Sequence, residues 1–173
     1  AMGGIDVLMA CGAGDPQPRL LRDIPLEALM GDVTGSLAPV IVPLRAVLPV
    51  MAPGGSVICV ASDAGKLATP GETAIGAAMA AIIQFARAAA IEVKRQGIRV
   101  NCLTPSIVEG TPLHDRLMAD AFAGKLFGKA KTMAHLGVAT PEDLAALAVF
   151  LASDESARMT GQAISVTGGI SAI

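Results

Sequence analysis

The sequence predicts an α/β domain built on a parallel sheet with helices packed on its faces. Three stretches carry this expectation. Residues 57–97, VICVASDAGKLATPGETAIGAAMAAIIQFARAAAIEVKRQG, read as an apolar strand, a Gly/Pro loop and a long Ala-rich helix. A second apolar run, Ile98 to Leu103, begins where that helix stops at Gly97. A helix joining two buried strands is the crossover unit of a parallel sheet. A third and a fourth apolar run, Ile5–Ala10 and Ala163–Val166, extend the pattern to both ends of the chain.

Each element has a local justification. Ile5–Ala10 ends in the small-residue turn Cys11-Gly12-Ala13-Gly14, and Asp15 to Arg22 is a loop; Ala1-Met2 has the look of a cloning remnant. A helical pattern opens at Pro25-Leu26-Glu27 and continues through Leu29, Val33, Leu37 and Ile41 towards Met51. Pro39 and Pro43 fall inside it, each removing a backbone donor, which predicts a bend or a break. Pro53-Gly54-Gly55 predicts a turn before the strand Val57–Ala61. The helix Glu72–Gln96 closes on Lys94, Arg95 and Gly97, a cationic last turn followed by a left-handed stop. Its small residues Ala77, Ala78, Ala81 and Ala88 recur at three- and four-residue steps, suiting close approach of another helix. Glu109 to Gly137, broken by Gly110, Gly124, Gly128 and Gly137, predicts a mobile cover over a site. Thr140-Pro141-Glu142-Asp143 announces a helix start with Thr at the N-cap and an acid three residues on, and that helix runs to Ser153. Thr167-Gly168-Gly169 ends the last strand.

Composition bounds the function. The 173 residues are 53% apolar and 16% charged with a net charge of −2, a single globular domain with a real core. Without a run of like charge, nucleic acid and anionic membrane surfaces are poor partners. No charge- and proline-free apolar run of about 18 residues predicts a membrane span, and no signal peptide is visible. Cys11, Cys59 and Cys102, odd in number and near apolar strand runs, predict buried free thiols in a reducing compartment, with cytoplasm the expected location. No CxxC occurs, and His114 and His135 lie in another segment, so no metal is expected. The chain has no tyrosine and no tryptophan. Any chemistry that needs a phenol is excluded for these residues.

Six motifs in order resemble the C-terminal part of a short-chain dehydrogenase/reductase: Gly4-Ile5-Asp6-Val7-Leu8; Arg45-Ala46-Val47-Leu48-Pro49; Gly97-Ile98-Arg99-Val100-Asn101 with Thr104-Pro105; Thr111-Pro112-Leu113; Leu151-Ala152-Ser153-Asp154; and Thr160-Gly161-Gln162 with Gly168-Gly169. The resemblance spans essentially the whole chain. It implies a Rossmann-like, doubly wound, three-layer α/β/α fold whose first three strands these residues do not supply, and hence residues upstream. It also implies hydride transfer with a nicotinamide cofactor, through an Asn, a Ser and a Tyr-x-x-x-Lys. Carried over position by position, the serine is Ser62, the tyrosine position holds Ile75, the lysine position Met79 and the asparagine position Asp32. The turn that lies against the cofactor in the family reads Ala10-Cys11-Gly12-Ala13 here.

The expectation is therefore a degenerate site with no intact catalytic or cofactor-binding residue. Ile75 transfers no proton, and Met79 brings neither charge nor donor to lower a phenol pKa or hold a ribose. Ser62 alone is a weak nucleophile, and Asp32 adds a negative charge near the old site. The resemblance then implies a non-catalytic structural or regulatory subunit, binding no cofactor itself, beside an active NAD(P)-dependent partner. The partner would be a homologous subunit docked on the helix ending at Met51 and on Glu72–Gln96. Heteromeric members of the family pair one active and one degenerate subunit; the hydroxy(phenyl)methyl-succinyl-CoA dehydrogenase of anaerobic toluene degradation is of this kind, and makes an acyl-CoA one substrate to consider. Two alternatives stay open: different chemistry on the same fold, using Ser62, Asp32 and His114 or His135, or a small-molecule binding module under the Glu109–Gly137 cover.

Overall fold

The structure is a computed structural model, and it describes residues 4–12, 14, 15 and 17–172. Four strands, β1 (Ile5–Ala10), β2 (Met51–Val60), β3 (Arg99–Pro105) and β4 (Ala163–Val166), form one sheet in the order β1-β2-β3-β4. All three pairings are parallel, with Cys59 opposite Ala10 on one side and Cys102 on the other. Helices α1 (Leu26–Val47) and α2 (Thr73–Val93) follow β1 and β2. Three helices, α3 (Pro112–Ala119), α4 (Ala121–Met133) and α5 (Pro141–Ala152), lie between β3 and β4. This is the Rossmann-like parallel α/β arrangement that the sequence predicts.

Alternation along the central strands builds the layers, because successive strand side chains point to opposite faces. Val57, Cys59, Val100 and Cys102 face α1 and α2 and join Val40, Leu44, Ala78, Ile82 and Ala86 in the larger core. Ile58 and Leu103 face the other way, onto Ala148 and Leu151 of α5. Arg99 is on that side too. Its guanidinium donates to the Leu151 carbonyl at 2.8 Å, the Ser153 carbonyl at 3.1 Å and Ser156 Oγ at 2.7 Å. Those carbonyls are orphans at the end of α5, where a cation is favoured. At the start of α5 the Thr140–Asp143 capping box is complete, the Thr140 amide donating to Asp143 Oδ2 at 2.8 Å.

Several local expectations need correction. Pro53-Gly54-Gly55 is no turn: it lies inside β2, where the register with β1 jumps from Ile5↔Met51 to Val7↔Ser56. The extra residues bulge out, Gly54 taking φ +84, and Gly55 must be glycine because a Cβ would stand 2.9 Å from the Asp6 carbonyl oxygen. Nor is α1 broken at its prolines. The carbonyls that Pro39 and Pro43 free are those of Gly35 and Pro39, one turn earlier, and Gly14 and Gly12 lie against them with no side chain between. A Cβ at Gly14 would come 2.9 Å from the Gly35 oxygen. The small residues that recur along α2 do not share one environment: Ala78 is fully buried beneath the helix, while Ala77 and Ala88 are exposed.

Leu26–Val50 and Thr73–Gln96 are both long and apolar enough to cross a membrane by length and composition. In the fold, α2 buries ten of its residues against α1 and the sheet, which is the behaviour of a core helix. β1 forms one edge of the sheet, with Val7 44% and Met9 42% exposed.

Candidate functional site

The carboxyl ends of β1, β2 and β3 open into a cavity of about 600 Å³. It is lined by the turn after β1 (Cys11, Gly12), the end of β2 and its following turn (Val60–Ala64), and the residues after β3 (Pro105–Val108). Open α/β sheets place ligands at this end of the strands. The cover is the helix pair α3–α4, which has a small core of its own around Ile107, Leu117, Ala123 and Phe127. Its two ends are tied together at the neck: Val108 and Ala139 form a bridge, and the Glu109 amide donates to the Ala139 carbonyl at 2.9 Å. The Glu109–Gly137 segment is thus mainly two helices, α4 being capped by Asp120 on the Phe122 and Ala123 amides at 2.9 and 2.8 Å.

The sequence-predicted positions separate into two groups. Ser62, Ile75, Met79, Cys11 and His114 all line the cavity. Ser62 sits at the N-cap of a short turn, its Oγ accepting from the Ala64 amide at 3.2 Å. Ile75 and Met79 lie one helical turn apart on the inward face of α2, 9% and 8% exposed, and belong to the main core as well as to the cavity wall. The turn carrying Ser62 rests directly on that wall. A Cβ at Gly65 would stand 2.6 Å from the Met79 carbonyl carbon.

Asp32 is not among them. It lines a separate cleft of about 100 Å³ whose wall also includes Ala74 and Ile75, and it pairs with Arg19 at 2.6 Å. The negative charge expected of Asp32 is therefore compensated by Arg19. His135 is exposed and outside the cavity lining. The trio Ser62, Asp32 and a histidine is accordingly not assembled; only Ser62 and His114 share the cavity. Cys11 corrects another expectation, being exposed rather than buried. Cys59 and Cys102 are fully buried, and burial pushes both thiols up to about 12, so neither is a nucleophile at neutral pH. Among the described residues no cluster of His, Cys, Asp or Glu has the makings of a metal site.

Two features were missed. Glu72, immediately before α2, lines the cavity, and burial raises its carboxyl above the usual range, a hydrogen bond from Thr69 offsetting part of the rise. The signal was available, since Glu72 stands three residues before Ile75 on the same helix start, but it had no partner in the motif being followed. The second feature is a buried ion pair: Lys66 Nζ lies 3.2 Å from Asp63 Oδ1, with the side chains 14% and 6% exposed. Ser165 of β4 completes it, accepting from Lys66 and donating to Asp63 Oδ1 at 2.9 Å. The group clamps the turn after Ser62 to β4. Ser165 is about a hundred residues away in sequence, so no local pattern announces this contact.

The arrangement thus offers a largely apolar cavity whose wall carries, among other polar groups, the Ser62 hydroxyl, the Asp63 and Glu72 carboxyls, the Lys129 ammonium and the His114 imidazole. At the points where α2 faces it, Ile75 and Met79, it has neither a phenol nor an ammonium. Comparison with known proteins agrees with the fold. Residues 1–171 match the family model described as Enoyl-(Acyl carrier protein) reductase. The 3-oxoacyl-[acyl-carrier-protein] reductase FabG of Chlamydia pneumoniae is 40% identical over 124 residues, covering 70% of this chain and 47% of that protein. The uncharacterized oxidoreductase YxbG of Bacillus subtilis is 33% identical over 177 residues, covering 99% of this chain and 64% of that protein. Among solved structures, an oxidoreductase of the short-chain dehydrogenase/reductase family from Burkholderia thailandensis superposes with a TM-score of 0.82 at 32% identity, covering 95% of this chain and 64% of that one. The chain spans about half to two thirds of the length of the curated relatives it matches. With the fold, the motif order and these matches in agreement, the chain belongs to the short-chain dehydrogenase/reductase family.

Proposed function

We propose that this chain is a catalytically silent subunit of an NAD(P)-dependent oxidoreductase, standing beside an active homologous subunit in the cytoplasm. One observation carries the reading: Ile75 and Met79 occupy, side by side on the inward face of α2, the points where the family resemblance expects a tyrosine and a lysine. A positioned acid/base supplies about 10²–10⁴ in rate, and an alkyl side chain supplies none of it. The same residues do not suit a nicotinamide ribose, because their alkyl and thioether side chains offer its hydroxyls no strong hydrogen-bond partner. Hydride transfer is therefore assigned to the partner, on a hydroxy or keto compound; the acyl-carrier-protein relative points to an acyl thioester as the class.

The docking surface assigned to that partner is the outer side of α1 and α2. Met30 of α1 and Ile91 of α2 are exposed apolar residues, and the exposed Ala77 and Ala88 keep α2 low enough for a helix to approach. The test is purification of the full gene product alone and co-expressed with the dehydrogenase encoded nearest to it. The chain alone is expected to give no NAD(P)H-dependent turnover and the pair to co-purify and turn over. Activity in the chain alone, or failure to co-purify, counts against the reading.

A second reading rests on Glu72. Its carboxyl, the Ser62 hydroxyl and His114 share one apolar cavity, which favours a ligand-binding or non-redox role. Thermal shift with NAD(H) and NADP(H) separates the two: a large shift revives cofactor chemistry in this chain.

A further inference from the structure

One acidic group on the cavity wall has no countercharge. Glu72 is half-buried at the N-cap position of α2, yet its side chain caps no backbone amide there, and its polar contact is a hydrogen bond from Thr69. Among the described residues no cation lies within ion-pair distance of it. The cations around the cavity are engaged elsewhere. Lys66 is held by Asp63, Arg19 by Asp32 in the adjoining cleft, and Lys131 by Glu109 beside His114, whose Nδ1 faces Asp115. Asp63 adds to the imbalance. It lines the cavity at 5% exposure, and while its Oδ1 takes both Lys66 and Ser165, its Oδ2 is enclosed without a hydrogen-bond partner. Two carboxyls, from the turn after β2 and the start of α2, thus share a wall with Ile75 and Met79. Lys129, the lysine of the lining, is exposed on α4 of the cover, where its long stem lets the ammonium turn to water.

A cavity of about 600 Å³ is of small-molecule size, and the few polar groups of such a site orient what it holds. We propose that it takes an organic cation, a primary ammonium on an apolar body, with the ammonium at the Glu72 carboxylate and the body against Ile75, Met79 and Phe127. A half-buried carboxyl without a countercharge is biased towards its neutral form, and an ammonium beside it restores the charged one. The free amides in the first turn of α2 favour the same negative charge. Contact between two ionised groups is stronger than contact of the same carboxylate with a hydroxyl, so the site distinguishes an amine from an alcohol of the same shape. The inference rests on the ligand-binding reading of Glu72 given above and adds the charge class of the ligand. It does not depend on the loss of hydride transfer.

The experiment is calorimetric titration of the full gene product with 4-phenylbutylamine, 4-phenyl-1-butanol and 4-phenylbutyrate, which share one apolar body. At pH 8 the amine is expected to bind saturably at one site and about tenfold more tightly than the alcohol, with the carboxylate weakest. Its affinity is expected to rise with pH above the ordinary carboxyl range, because the ammonium stays charged while Glu72 loses its proton. Glu72→Gln is expected to bring the amine down to the level of the alcohol, leave the alcohol unchanged and remove that rise. His114→Gln, which removes the imidazole of the same lining, is expected to leave the preference for the amine in place. An amine no tighter than a saturably bound alcohol, or a preference that survives Glu72→Gln, overturns the inference and leaves the ligand-binding reading standing. Absence of saturable binding by all three probes overturns both. Glutamine matches glutamate in size, so the variant is expected to fold; if it does not, Glu72→Ala supplies the comparison.

Discussion

Substituting Met79 by lysine restores the residue type that the family resemblance expects, and it tests whether this position has become packing. Met79 is 8% exposed and belongs to the same core as Ile75, Ala78 and Ile82. Above it the turn of Gly65 sits so close that a Cβ there would lie 2.9 Å from Met79 Cβ. Burying a methionine side chain is worth about 1.5–3 kcal/mol. Lysine keeps the stem but brings an ammonium whose desolvation adds to the loss unless it reaches the cavity or gives up its proton. A total of about 2–4 kcal/mol follows, which for a chain of this size lowers Tm by roughly 4–16 °C. Desolvation lowers the folded-state pKa of a buried lysine below its unfolded value. The unfolded chain then binds more protons between the two values, so the variant regains stability as pH rises towards the ordinary lysine pKa. Met79→Leu, which conserves volume and polarity, is expected to cost less than about 1.5 kcal/mol. Without tyrosine or tryptophan the chain has little intrinsic fluorescence, and far-ultraviolet circular dichroism is the appropriate readout. A Met79→Lys protein melting within about 1 °C of the parent, with no pH dependence of the difference, would refute the packing argument.

Other perturbations read other parts of the account. Glu72→Gln removes a carboxyl whose burial raises its pKa. In the parent the folded state holds that proton more tightly, so stability falls as pH rises from the unfolded carboxyl value through the folded one; urea titrations should show the variant losing that slope and gaining stability at pH 7. Gly65→Ala places a methyl 2.6 Å from the backbone of Met79 and should cost about 1–3 kcal/mol in the same assay, whereas Gly31→Ala, with nothing within 4 Å, should not destabilise. Arg99→Met leaves the Leu151 and Ser153 carbonyls without their charged donor, a loss of about 2–4 kcal/mol measurable as a lower urea midpoint at unchanged slope.

Much of the fold was legible because its signals are local. The Thr140 cap, the Gly97 stop and the apolar strand runs are each written within a few residues, and the parallel sheet follows from the helix between two of them. The misread elements depended on contacts between distant segments. Pro53–Gly55 has turn composition, yet pairing with β1 draws it into β2 as a bulge. Pro39 and Pro43 looked like breaks, yet the glycines after β1 lie against the carbonyls they free. At the site, the presence of Ser62, Ile75 and Met79 in one wall follows from the motif spacing, because all three lie on one strand–turn–helix unit. Asp32 was drawn towards that wall by the same motif logic, but its partner Arg19 comes from the loop before α1 and holds it in the neighbouring cleft. Glu72 and the Lys66–Asp63–Ser165 clamp gain their character from burial, and burial is a property of the assembled fold.

The central claim is that α2 carries no proton-transfer group into the cavity, and turnover tests it most directly. The full gene product, purified without any homologous dehydrogenase, is mixed with NADH or NADPH and a 3-oxoacyl thioester while absorbance at 340 nm is followed. No consumption above the enzyme-free rate is expected at any pH from 5 to 9. Enzyme-dependent consumption that scales with protein concentration would contradict it.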